Sequence, residues 1–85
     1  MSKLIFSELA WEDYLYWQTQ DKKTLRRINA LLRDISRDQW SGIGKPEPLI
    51  GRKDCWSRRI DEQNRLVYRV SPGQIEIIQC KGHYD

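Results

Sequence analysis

The chain has 85 residues, enough for one hydrophobic core and too few for two, so residues 1–85 are expected to form a single domain burying roughly 60% of its unfolded surface. Fifteen Lys and Arg oppose twelve Asp and Glu, a formal net charge of +3. No apolar run is long enough to span a membrane as a helix and no signal-peptide pattern is present, and a cytoplasmic protein is expected. Cys55 and Cys80 lack metal-ligand spacing and are expected as reduced thiols.

Lys3 to Phe6 reads as a short strand, with Ser7 placed to cap a helix that carries Glu8 in its first turn. Ala10, Tyr14 and Trp17 recur at helical spacing with Trp11 and Leu15 beside them, giving a broad apolar face through about Gln20. Asp21 starts a second helix, whose stripe is Leu25, Ile28, Leu31, Leu32 and Ile35. The pair should form a hairpin that buries its stripes on a sheet. After the Gly- and Pro-rich stretch SGIGKPEPLIGRKD, predicted as a loop, come three strands, Cys55 to Ile60, Arg65 to Val70 and Gln74 to Cys80. Their short connections imply antiparallel neighbours. The fold class is therefore α+β, an N-terminal helical hairpin packed on a twisted antiparallel β-sheet.

Charge is placed unevenly. Glu8, Glu12 and Asp13 lie early, whereas Lys45 to Arg69 carries Lys45, Arg52, Lys53, Arg58, Arg59, Arg65 and Arg69, a half that leans towards a polyanion. A two-residue period puts Arg65 and Arg69 on one sheet face, where they serve either as a phosphate clamp or as ordinary surface charge. The same period points Arg58 and Arg59 in opposite directions, so at most one joins any site and the other is expected at the surface. Glu47 stands between Pro46 and Pro48, whose rings stiffen the backbone around it; it is a positioned base or a solvated loop carboxylate. His83 is the one histidine of the chain, and its imidazole exchanges protons near neutrality. A two-histidine ribonuclease is excluded, and neither a Ser or Cys triad nor a histidine-rich metal centre has support. A carboxylate, arginines and one imidazole acting on a phosphodiester without metal fit what remains.

KLIFSE, WEDYLYW, GKPEPL, CWSRRI, NRLVY and the terminal HY, in that order over nearly the whole chain, resemble the YoeB/Txe toxins of the RelE/ParE superfamily. The resemblance implies a ribosome-dependent mRNA endonuclease with no cofactor. Its partners would be a Phd/YefM-type antitoxin, the 70S ribosome with its mRNA, and a second copy of the chain in a homodimer; operator DNA would be reached only through the antitoxin complex. The resemblance makes Glu47 the base, Arg65 the phosphate-binding arginine and His83 the acid, with Tyr84 completing the terminal pair. Arg59 is a secondary phosphate contact, joined by Lys45 beside Glu47 and by Arg69. Gly82 and Asp85 depart from the family pattern, as does the segment from Ile50 to Asp54. The alternatives are a toxin of this fold that acts by binding a protein, and a non-catalytic RNA-binding module.

Overall fold

The computed structural model describes residues 2–83. Its elements are β1 (Lys3–Phe6), α1 (Glu8–Gln20), α2 (Lys22–Arg37), β2 (Glu47–Pro48), β3 (Cys55–Arg59), β4 (Arg65–Ser71) and β5 (Gln74–Gln79). Ser7 caps α1 by accepting from the Ala10 N–H at 3.0 Å, and its hydroxyl donates to the Ile78 carbonyl at 2.8 Å, tying helix start to sheet. Asp21 ends α1 and starts α2; its carboxylate accepts from the Lys23 and Thr24 N–H groups and the Thr24 hydroxyl, which together hold its pKa below the usual value. One residue thus makes the hairpin corner.

The sheet order is β1-β5-β4-β3-β2. The β2–β3, β3–β4 and β4–β5 pairs are antiparallel, as the short connections require, and β1 joins β5 in parallel, so the sheet is mixed. The Gly- and Pro-rich stretch is not wholly loop: Glu47 and Pro48 pair with Ser57 and Trp56 as an edge strand. Proline is tolerated there because its missing N–H costs no ladder bond on an open edge. Ile28, Leu31 and Ile35 of α2 are fully buried against Leu66, Tyr68, Ile75 and Ile77 of the sheet. Each buried aliphatic side chain contributes about 1.5–3 kcal/mol relative to exposure. Trp11 lies outside this core, half-exposed and stacked at 6.0 Å on Tyr14, with Phe6 edge-on to both.

Two deviations shape the far face of the sheet. Val67 stands opposite Gln79 while Tyr68 stands opposite Ile77, so Ile78 is an extra residue on β5. Such a bulge bends and twists its strand, here just before the C-terminal segment. Lys45 has φ 51, a left-handed conformation that costs a non-glycine residue about 1–2 kcal/mol, and it lies two residues before Glu47.

Candidate active site

Residues directly opposite in a ladder share a face, and the register therefore lays out the face turned away from the helices. Glu47, Ser57, Val67 and Gln79 form one row across four strands. Arg59 and Arg65, opposite each other, form the next row, roughly 7 Å away at two residues of strand rise. On the other side of the Glu47 row lies a third, of Cys55, Arg69 and Glu76. Ser57 and Val67 are buried at the floor, Arg65 is half-buried, and Glu47 and Arg59 are exposed above them. The Arg59 N–H donates to the Gly44 carbonyl at 2.7 Å, which brings Lys45 beside the arginine row. Gly44, at φ 82, leaves no room for a side chain: a Cβ there would stand 2.8 Å from Leu31 Cδ2.

The segment before His83 is fastened twice. At Cys80 the N–H donates to buried Asp13 at 3.0 Å, the carbonyl accepts from Trp17 Nε1 at 2.9 Å, and the thiol lies 3.6 Å from the Ala10 carbonyl. Burial, with the Asp13 charge adding to it, pushes the Cys80 thiol up to about 12, so it stays protonated. At Gly82, with φ 79, the N–H donates to Asn64 Oδ1 at 2.7 Å and the carbonyl accepts from the Arg65 N–H at 2.9 Å. The exposed His83 therefore follows a residue hydrogen-bonded to Arg65. Tyr84 and Asp85 lie outside the described residues.

The expectation for the two adjacent arginines needs correction. Arg59 is exposed, but Arg58 is not surface: it is 0% exposed on the helix side of the sheet. Its Nε donates to the Tyr68 hydroxyl at 3.1 Å and its NH1 to Asp34 at 2.6 Å and the Ile43 carbonyl at 3.2 Å. Its NH2 donates to the Asp38 and Ser41 carbonyls at 2.6 and 3.0 Å. Tyr68 in turn donates to the Gln39 carbonyl at 2.7 Å. Hydrogen bonds from Arg37 first and Arg58 second hold the Asp34 carboxyl at about 2, while burial raises the Tyr68 pKa. The cluster clamps the loop that leads from α2 to Glu47. Arg58 alternates with Trp56 and Ile60, both core-facing, and Asp34 falls at Leu31 plus three; that apolar company was the sequence signal for it.

A hollow of about 600 Å³ opens on the third row, lined by Arg52, Lys53, Cys55, Arg69, Glu76 and Ile78. Glu47, Arg65 and His83 are not in its wall. Arg69 pairs with Glu76 at 2.6 Å, a half-exposed bridge. Among the described residues no three His, Cys, Asp or Glu side chains converge as metal ligands, and no helix is long and apolar enough to cross a membrane.

The structure superposes on the YoeB dimer from Staphylococcus aureus with TM-score 0.91 and 46% identity, covering 98% of each chain. On the YoeB–YefM complex from the same organism the values are 0.87 and 44%, covering 99% of each chain. Toxin YoeB of Synechocystis sp. is 51% identical over 83 residues, 96% of this chain and 96% of that protein. Two helices on a five-stranded mixed sheet make this an α+β protein of the fold these toxins share. Residues 6–84 match the model for the YoeB-like toxin of bacterial type II toxin-antitoxin systems, and the chain belongs to that family.

Proposed function

We propose that residues 1–85 act as one toxin domain with a ribosome-dependent nuclease activity: it cleaves mRNA codons in the A site and so inhibits translation. The supporting observation is the register that sets Glu47 one row from the Arg59–Arg65 pair, with Gly82 hydrogen-bonded to Arg65 just ahead of His83. Glu47 takes the proton of a ribose 2′-OH, and the oxygen attacks the adjacent phosphorus. Arg65 stabilises the added negative charge, assisted by Arg59 and Lys45, and Arg69 is a further contact to the RNA backbone. As the bond from phosphorus to the 5′ oxygen breaks, His83 gives that oxygen its proton; Tyr84 stacks on or orients the leaving nucleotide. The products are a 2′,3′-cyclic phosphate and a 5′-hydroxyl end. The chain supplies base, charge and acid itself, and no cofactor or metal is assigned a part. The ribosome supplies alignment, which substitutes for intrinsic reactivity.

A Phd/YefM-type antitoxin is the proposed partner, as the Staphylococcus aureus relative forms a YoeB–YefM complex, and self-association is proposed because that relative is also seen as a dimer. Operator DNA is contacted through the antitoxin complex, and the protein acts in the cytoplasm.

The test replaces the attacking 2′-OH of an A-site codon with hydrogen. Cleavage should stop while mRNA placement on the ribosome is unchanged, and on the native message it should persist in EDTA once ribosome integrity is controlled for. Retained cutting of the deoxy codon would make water the nucleophile and remove the role given to Glu47.

A further inference from the structure

Apart from Arg69, the lining of the hollow on the third row takes no part in the chemistry above, yet its position gives it a direction. The Glu47 row lies between the Arg59–Arg65 row, next to which His83 is brought, and the row of Cys55, Arg69 and Glu76 that borders the hollow. In the proposed reaction the base serves the nucleotide upstream of the broken bond and the acid serves the one downstream. An RNA strand crossing the face from His83 to Glu47 therefore runs upstream into the hollow. Resting on the nuclease reading, we infer that the hollow is a subsite for the nucleotide immediately upstream of the one whose 2′-OH attacks.

Its chemistry suits that occupant. Arg52 and Lys53 project from the turn between β2 and β3, and Arg69 spends one NH2 on Glu76 out of the five donors of a guanidinium, so positive charge exceeds negative around the opening. Cys55 and Ile78 supply an apolar floor for a base. A volume of about 600 Å³ lies within the roughly 300–1,000 Å³ range of small-molecule sites. The bulge that inserts Ile78 into β5 puts that side chain in the hollow's wall. Base, phosphate and direction are thus assigned to one place: the base rests on Cys55 and Ile78, and the phosphate joining the two upstream nucleotides meets Arg52, Lys53 and Arg69.

The experiment pairs a change in the RNA with a change in the protein, using ribosome-bound messages and sub-saturating toxin. The phosphate joining those two nucleotides is made neutral as a methylphosphonate, and the toxin carries Arg52→Gln with Lys53→Gln, both on an exposed turn. With wild type, the neutral linkage should lower kcat/KM roughly tenfold, as the loss of three exposed charge contacts of modest strength would. The double variant should lose a similar factor on native message, with kcat nearly unchanged, and should lose little more on the neutral one. Fully additive losses would show that linkage and turn do not meet and would overturn the subsite. So would a double variant that cleaves like wild type but binds the antitoxin more weakly, which would assign the hollow to a protein partner. Failure of the nuclease reading looks different: wild type would then cut the 2′-deoxy codon, and the direction assigned to the hollow would go with it.

Discussion

Arg58 and Arg59 are neighbours with the same side chain, and they occupy opposite worlds. Arg58 is sealed between sheet and helix, with hydrogen bonds to Tyr68, Asp34 and three loop carbonyls. Arg59 stands exposed opposite Arg65 on the face that carries Glu47. Strand alternation alone separates them. The difference teaches a division of labour: the inward arginine holds the loop before Glu47 in place, and the outward one stands exposed, where the proposed reaction uses it to meet a phosphate. A buried ion pair of this kind is weak evidence of net stabilisation, but removing one partner leaves the other charge buried and unpaired.

That contrast is open to measurement. Arg58→Ala should destabilise the protein by about 3–5 kcal/mol, seen as a lower midpoint in urea unfolding, because Asp34 and the loop carbonyls lose their donor. A loss under about 1 kcal/mol would mean that water replaces the guanidinium and that the clamp is not structural. Arg59→Ala should leave stability within about 0.5 kcal/mol and lower A-site cleavage roughly tenfold, the reverse pattern. If Arg59→Ala proved the more destabilising of the two, the assignment of inner and outer roles would be wrong.

The smallest effect is in the acid limb of stability. Asp34 has its carboxyl lowered from 3.8 to about 2 by Arg37, Arg58 and the Ile43 N–H. Its contribution is present above the unfolded value of 3.8 and is lost as pH falls through the folded value of about 2. Asp21 and Asp38, also held low by hydrogen bonds, add to the same limb. Unfolding free energies measured between pH 5 and pH 2 should therefore fall less steeply in Asp34→Asn than in wild type. An unchanged slope would remove Asp34 from the account of the clamp.

Much of the frame was legible because it is local. Ser7 and Asp21 marked both helix starts, the stripe from Leu25 to Ile35 marked the buried face of α2, and period two placed Arg65 with Arg69 away from Leu66 and Tyr68. The edge strand at Glu47 was not legible, since a two-residue pairing in a proline-rich stretch has no periodicity to detect. Asp13 was read only as early acidic charge, whereas it accepts from Cys80, 67 residues away in the chain.

The sequence by itself determined the elements, the face on which each arginine of the strands lies, and membership of a toxin family, because these follow from short-range spacing and from ordered motifs. Only the tertiary structure decided that Arg58 is a buried clamp, that β1 runs parallel to β5, and that the segment before His83 is pinned by Asp13, Trp17, Asn64 and the Arg65 backbone. Each of those depends on partners far apart in the chain. A polar group's fate is set by which donors and acceptors folding brings within about 3 Å of it, and spacing along the sequence does not encode that.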